Sequence, residues 1–322
     1  MLINMTLPPM KWKALHFSGL LLTCILLISS FQSFGQITED HYRIYSVKTG
    51  KEVNLDAIVR DMKNYDVLFF GEEHNDSVGH FLESKVFEML HQEFTNKLAL
   101  SMEMFDRDVQ TVMNEYLDGS IREKNFLKDA RVWSNYKDYK PMVEFAKLHQ
   151  MDVVCANAPS RYTNLAGRKG QVALLNLSDQ AKKYMAPLPY DTASGNYHDK
   201  LMGLTSHSVS TATDTLKKMP VMAMGGFSLI PAQSLWDATM AYSISEYMKK
   251  NKGKKIMQVN GRFHSDERFA VVTQLEKYRP KVKSLIISAG ADDSFPHIDW
   301  SKQKQLGDYV IITDPNIPKT FE

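Results

Sequence analysis

Short apolar runs, each bounded by polar or turn-forming residues, recur along the chain and predict β-strands. These runs cover residues 67–70, 98–102, 153–156, 221–224, 256–259, 285–288 and 309–313. Residues 42–53 favour a hairpin, and several runs are separated by stretches with apolar residues at helical spacing. The first of these stretches begins after Asp76 or Ser77, either of which can cap a helix. Because strands that alternate with helices need crossover connections, the pattern predicts an α/β fold with a mainly parallel sheet flanked by helices.

Two long stretches lack strand patterns and are predicted to be helical insertions. They span about residues 105–150 and 160–250, and each follows a strand end, so we expect them to cap the carboxyl edge of the sheet. Both are rich in aromatic residues or methionine, which at helical spacing favour an ordinary core. The alternative is a pocket for a flat apolar ligand such as haem. The spacing does not select among the candidate iron ligands, which are Tyr136, Tyr139, Tyr162, Tyr197 and His198.

The motif Gly-x-x-His occurs twice, each time directly after a predicted strand. The first copy is Gly71-Glu72-Glu73-His74 and the second is Gly261-Arg262-Phe263-His264. Glycine lets the chain turn sharply at a strand end, and in open α/β sheets ligands bind at the carboxyl edge. We therefore expect His74 and His264 to converge on one site.

Polar residues at the ends of two further predicted strands extend this site. Glu103 ends the second predicted strand, while Asn157 and Arg161 follow the third. In a parallel sheet these ends share one edge with both Gly-x-x-His turns. Imidazole and carboxylate groups are good ligands for Zn²⁺, Mn²⁺ or Fe²⁺. The sequence therefore predicts a divalent metal held by His74, Glu103 and His264.

The same edge supplies candidate catalytic and cofactor-binding residues. A carboxylate that does not bind the metal can act as general base on a metal-bound water. The catalytic candidates are Glu72, His74, Glu103 and His264. The cofactor-binding candidates are Asn157, Arg161 and Tyr162, since a guanidinium can hold an anionic group through two hydrogen bonds. For each residue alone, the simpler interpretation is that it satisfies backbone groups where a strand ends.

Residues 1–35 have the layout of a secretory signal peptide. Lys11 and Lys13 precede an apolar run that is too short to span a bilayer, and small residues favour cleavage near Gly35-Gln36. An uncleaved anchor is the alternative. We expect an exported protein of the periplasm or cell envelope, with residues 36–322 forming one α/β domain.

Removal of this leader changes the charge and the cysteine content. The formal charge falls from +2 to zero, because Lys11 and Lys13 are the only charged residues of the leader. No basic field then favours nucleic acid as a partner. Cys24 lies in the leader without the small residue expected before a lipidated cysteine, which leaves Cys155 alone. We therefore expect no intramolecular disulfide.

The ordered motifs resemble those of the ChaN-like haem-binding, iron-regulated proteins. This family belongs to a superfamily with the Tiki metalloproteases and the erythromycin-esterase-like proteins. The resemblance runs from about residue 65 to about residue 290. It rests on GEEHND at 71–76, EMF at 103–105, YLDG at 116–119, YKP at 139–141, ANAPSRY at 156–162, AQSLWDATMA at 232–241 and GRFH at 261–264.

The resemblance implies a function at two levels. In the superfamily, the positions of His74, Glu103 and His264 are associated with metal binding or catalysis. In the family, haem is held at a dimer interface with tyrosine as an iron ligand, and that tyrosine has no assigned position in this chain. The family therefore implies a homodimer and a peripheral association with the cell envelope. Many relatives are lipoproteins, whereas this leader lacks a usable lipidation cysteine.

Three functional hypotheses follow. The preferred one is an exported haem- or iron-binding protein of iron acquisition, which takes haem or another small ligand. The alternative is a metal-dependent hydrolase, protease-like or esterase-like, and it is favoured by the intact His74, Glu103 and His264 set. The third is an envelope protein that keeps the site without turnover. No Gly-x-Ser-x-Gly, phosphate-loop or His-Glu-x-x-His motif is present to indicate another chemistry.

Overall fold

The computed structural model describes residues 37–211 and 227–321, apart from the side chains of residues 204–211. The predicted leader and the predicted strand at 221–224 lie outside the described residues. Among the helices of the described part, none has the length and apolar character that crossing a membrane would require.

The described strands form one mixed sheet. Their bounds are β1 (Tyr42–Ser46), β2 (Lys51–Val53), β3 (Val67–Glu72), β4 (Leu98–Asp106), β5 (Val153–Asn157), β6 (Lys255–Gly261), β7 (Ser284–Ala291) and β8 (Tyr309–Thr313). Their order across the sheet is β2-β1-β8-β7-β3-β6-β4-β5. β1 pairs antiparallel with β2 and β8, and the pairs from β8 to β5 are parallel. The predicted α/β class with a mainly parallel sheet is confirmed.

Helices fill the connections between the strands. Their bounds are α1 (Leu55–Met62), α2 (Ser77–Phe94), α3 (Gln110–Leu117), α4 (Glu123–Asp129), α5 (Tyr136–Leu148), α6 (Ser160–Lys169), α7 (Asp179–Lys182), α8 (Gly195–Thr211), α9 (Leu229–Lys250) and α10 (Ala270–Tyr278). Asp76 caps α2, because its carboxylate accepts a hydrogen bond of 2.9 Å from the Val78 amide. α3 to α5 lie between β4 and β5, and α6 to α9 lie between β5 and β6.

The centre of the sheet is buried on both faces. Val67 to Phe70 of β3 have no exposed surface, and Ile256, Met257 and Val259 of β6 have none either. Continuous apolar runs are expected where helices cover both sides of a parallel sheet. Each buried large side chain contributes roughly 1.5–3 kcal/mol to stability. The carboxyl ends of β3 and β6 therefore extend from a tightly packed core.

The register of β3 and β6 places the two Gly-x-x-His turns side by side. Gly71 pairs with Asn260, and Glu72 pairs with Gly261. On the other side of β6, Met102 of β4 pairs with Val259, so Glu103 follows at the same level. The carboxyl ends of three adjacent strands therefore bring the predicted site residues together.

Candidate functional site

Each glycine of the paired motifs lies where the other turn leaves no room for a side chain. A Cβ on Gly71 would lie 2.8 Å from the Cα atom of Arg262 and 2.7 Å from the hydroxyl of Ser265. A Cβ on Gly261 would lie 2.8 Å from Nε2 of His74. Contacts this short are repulsive, so the two turns can approach each other only because both positions are glycine.

The first histidine is held by a buried carboxylate. His74 donates a hydrogen bond of 2.7 Å from Nδ1 to Oε1 of Glu72, and the Tyr139 hydroxyl donates to the same oxygen at 2.7 Å. A carboxylate only accepts, so Nδ1 carries a proton, and in the neutral ring Nε2 holds the lone pair that can bind a metal. The side chain of His74 is 38% exposed, while that of Glu72 is 1% exposed. The rings of His74 and Trp133 also pack edge to face, with centroids 5.2 Å apart.

The second histidine repeats this arrangement. His264 donates from Nδ1 to Oδ1 of Asp237 at 2.5 Å, and the Tyr197 hydroxyl donates to Oδ2 of Asp237 at 2.6 Å. Nε2 of His264 lies 3.2 Å from the amide nitrogen of Gln233 and 3.5 Å from Oε1 of Glu103. The site thus contains two histidine–carboxylate–tyrosine triads. The first is exposed at its histidine, and the second is buried.

Glu103 stands between the two triads. Its Oε2 accepts a hydrogen bond of 2.8 Å from the backbone amide of Gly261, and its Oε1 faces His264. Burial alone would raise the pKa of Glu103, but the charges of His264 and His74 outweigh burial and lower it. Glu103 therefore stays ionised, and its negative charge favours the protonated forms of both histidines.

The charged forms are favoured in both triads. Burial opposes ionisation of Glu72, yet hydrogen bonds from His74 and His80 hold its pKa well below the usual range. Burial also lowers the pKa of His74, but the hydrogen bond to Glu72 and the charge of Glu103 raise it overall. For His264, Glu103 and Asp237 overcome burial and raise the pKa to about 10. Any ligand that binds an imidazole nitrogen of His264 must therefore displace a proton.

The predicted catalytic residues lie in these two neighbouring networks. Glu72 and His74 belong to the first triad, and His264 and Glu103 lie at the second. Their catalytic role and the metal set of His74, Glu103 and His264 stay predictions. In the described part of the chain, the group that brings three ligand atoms within 4.8 Å of one another is a different one, consisting of Glu72, His80 and Glu83.

The predicted cofactor-binding residues lie at the end of β5. Asn157 accepts a hydrogen bond of 2.9 Å from the Ala158 amide, which is a turn contact. Arg161 forms an ion pair of 2.7 Å with Asp108 and lies over the ring of Tyr162, 4.4 Å from its centroid. The Arg161 side chain remains 48% exposed. Their role as cofactor ligands stays a prediction.

Sequence reasoning did not identify Asp237, Glu83 or Gln233 as site residues. Asp237 lies within α9, where its neighbours are almost all buried, and its own exposure is 1%. A carboxylate on a buried helical face is a signal in itself, because it needs a partner. The motif at 232–241 contains Asp237, but helical spacing alone does not show that this carboxylate reaches His264.

Comparison with known proteins identifies the family. The family model described as "Haem-binding uptake, Tiki superfamily, ChaN" matches residues 58–275. The solved structure of cofacial haem binding to ChaN of Campylobacter jejuni has a TM-score of 0.65. It is 15% identical in sequence, and the match covers 86% of this chain and 98% of that one. At this identity the likeness shows the fold alone.

Two other solved structures are more distant. An erythromycin esterase mutant in its open conformation has a TM-score of 0.47 at 10% identity, with 85% of this chain and 83% of that chain covered. A succinoglycan biosynthesis protein has a TM-score of 0.43 at 12% identity, with 74% and 69% covered. No curated protein sequence matches significantly. Since the family match spans more than half of the chain and confirms the resemblance of the motifs, the protein belongs to the ChaN haem-binding uptake family of the Tiki superfamily.

Proposed function

We propose that this protein binds haem at the carboxyl edge of its sheet, through His74, and serves iron or haem acquisition as an exported protein. Its membership of a haem-binding family supports the ligand class. The observation that carries the proposal is the His74 imidazole, which is 38% exposed while its Nδ1 is fixed by buried Glu72.

The donor chemistry of His74 fits haem iron. Imidazole is a common axial ligand of haem, and ligating histidines usually donate their second ring nitrogen to a carboxylate or carbonyl. In this chain Glu72 already accepts the hydrogen bond from Nδ1, so Nε2 is the nitrogen left for iron. Trp133 adds an aromatic ring in contact with His74. Bound haem would supply the iron that the protein carries.

Three of the four tyrosine candidates fit less well. The hydroxyl of Tyr139 is committed to Glu72, and that of Tyr197 is committed to Asp237. Burial and these carboxylates raise the pKa of both phenols, which opposes the tyrosinate that iron binds. Tyr136 is buried and its pKa is also raised, chiefly by burial. The geometry therefore favours an imidazole over these three phenols.

A hemin titration tests the proposal. Purified protein without its predicted leader should give a saturable shift of the Soret band, and His74→Ala should weaken binding. His149→Ala is the matched control, because His149 is an exposed histidine just beyond the end of α5, where its ring contacts Phe145. No Soret shift at micromolar protein would overturn the proposal. Equal binding by wild type and His74→Ala would refute the role of His74.

A metal-dependent hydrolase is the second candidate function. The paired triads favour it, because each histidine is oriented by a buried carboxylate and Glu103 lies at the second imidazole. Wild type and His264→Ala should then differ in metal content and in hydrolysis of ester or peptide substrates. Identical metal content and no hydrolysis by either would reject this candidate and leave a site without turnover.

Export and dimerisation complete the proposal. Cleavage near Gly35-Gln36 would place the mature protein in the periplasm or at the cell envelope. Amino-terminal sequencing of the protein recovered from a periplasmic extract should then begin near Gln36. Light scattering with and without hemin tests the homodimer that the family implies, and a monomer under both conditions would contradict it.

A further inference from the structure

A second cluster of ligand-type side chains lies behind His74 and is buried. Glu72, His80 and Glu83 bring their ligand atoms within 4.8 Å of one another. Nδ1 of His80 lies 3.0 Å from Oε2 of Glu72 and 3.5 Å from Oε2 of Glu83. The three side chains are between 0% and 7% exposed. His80 and Glu83 are three residues apart on α2, so they project from the same face toward the end of β3.

The contacts of His80 leave an excess of negative charge in this cluster. Nε2 of His80 lies 3.1 Å from the carbonyl oxygen of His74 and 3.9 Å from Oδ2 of Asp138. Both groups accept hydrogen bonds, so Nε2 carries a proton. With that proton alone, Nδ1 would present a lone pair to the carboxylates of Glu72 and Glu83, and a lone pair cannot satisfy two acceptors. A positive charge is therefore needed at this point, supplied either by a second proton on His80, whose pKa the two carboxylates raise against burial to about 11, or by a metal ion.

An unpartnered buried oxygen supports the same conclusion. Oε1 of Glu83 is buried and has no hydrogen-bond partner among the described residues, and the Glu83 side chain has no exposed surface. Buried carboxylates are costly unless they are paired, protonated or bound to a metal. Glu72 is already committed through Oε1 to His74 and Tyr139, which leaves Oε2 facing His80.

We propose that Glu72, His80 and Glu83 bind one divalent transition-metal ion. Two carboxylates offset the charge of the ion, and the imidazole supplies a nitrogen ligand through Nδ1, a set that suits Zn²⁺, Mn²⁺ or Fe²⁺. Metal-ligating histidines usually donate a hydrogen bond from their second ring nitrogen to a carbonyl or carboxylate oxygen. Nε2 of His80 makes this contact with the carbonyl oxygen of His74. This site differs from the predicted His74, Glu103 and His264 set, and it does not depend on haem binding.

The ion would also orient the haem-facing histidine. Glu72 would bind the ion through Oε2 while Oε1 holds Nδ1 of His74. The hydrogen bonds from His74 and Tyr139 hold Oε1 of Glu72, and the ion would restrain its Oε2 as well. Glu72 is therefore a positioning residue between the two sites.

Zinc titration of the chelator-treated protein tests the site. Calorimetry with Zn²⁺ alone should show one tight equivalent for wild type, and His80→Gln or Glu83→Gln should weaken it by at least about tenfold. The controls on the same helix are His91→Gln and Glu88→Gln, which should bind as wild type does. No binding by wild type, or unchanged binding by His80→Gln and Glu83→Gln, would overturn the proposal. Loss of binding in His264→Ala alone would also overturn it.

A second measurement uses wild type and does not depend on the folding of any variant. X-ray absorption at the zinc edge should show one imidazole with oxygen ligands. Two imidazoles would instead indicate His74 and His264, and would contradict the proposal. Hemin binding is measured separately, so failure of the metal site and failure of the haem proposal give different results.

Discussion

His74 of the first turn and Gly261 of the second are packed so closely that a single methyl group would force them apart. The Cβ of an alanine at 261 would lie 2.8 Å from Nε2 of His74, the nitrogen that the proposed function assigns to iron. The two motifs are thus parts of one structure, in which the small residue of one makes room for the imidazole of the other.

The first prediction concerns this contact. Gly261→Ala should displace the His74 ring, lower the stability by about 1–3 kcal/mol through overpacking, and weaken hemin binding. Thermal unfolding and the Soret titration measure the two effects. Gly203→Ala is the matched control, because nothing lies within 4 Å of a Cβ at this position on α8. Equal stability and hemin binding in both variants would contradict the packing described.

The second prediction concerns the tyrosine that supports Glu72. Tyr139→Phe removes a hydroxyl that donates to a buried carboxylate at 2.7 Å, so it should cost roughly 1.5–3 kcal/mol of stability. Tyr190→Phe removes a hydroxyl that donates to a neutral carbonyl, that of Pro231, at 3.0 Å. It should cost only about 0.5–1.5 kcal/mol. Denaturant unfolding compares the two, and a smaller loss for Tyr139→Phe would count against an ionised Glu72.

The third prediction concerns pH and His264. Glu103 and Asp237 overcome the effect of burial and raise the pKa of His264 to about 10, whereas an unfolded histidine titrates at roughly 6.5. Protonation therefore stabilises the folded state, fully below about pH 6.5 and progressively less as the pH rises toward the folded pKa. In metal-free buffer, His264→Gln should lose less stability over this range than wild type. Parallel curves would show that His264 does not carry the charge.

The fourth prediction concerns the single cysteine of the described residues. Cys155 is 1% exposed in β5, and burial raises the pKa of its thiol. The thiolate is the reactive form, so Cys155 should resist a thiol-specific reagent in the folded protein and react after denaturation. A spectrophotometric thiol assay follows both states. Rapid reaction of the folded protein would contradict the burial of this strand.

The strands could be predicted because they are short apolar runs buried on both faces. The run at 67–70 lies inside β3, and the run at 309–313 coincides with β8. The edge that carries the site followed from strand direction alone, which is why His74, Glu103 and His264 were found together. β4 continues beyond the predicted end at 102 to Asp106, because an irregular pairing with β5 extends it past Glu103.

The partners of the histidines were harder to predict. Glu72 lies two residues from His74, but Asp237 reaches His264 from a helix, and Tyr139 reaches Glu72 from another. Such contacts depend on how helices pack over the sheet, which periodicity does not specify. The sequence placed Arg161 at the same edge, and its side chain forms an ion pair there with Asp108, which follows β4.

The account depends most on iron binding by the His74 imidazole, and a cavity variant tests this directly. His74→Gly should lose the Soret shift that wild type shows with hemin, and added imidazole should restore it by entering the space that the side chain has left. An unchanged Soret shift in His74→Gly, without imidazole, would contradict the account.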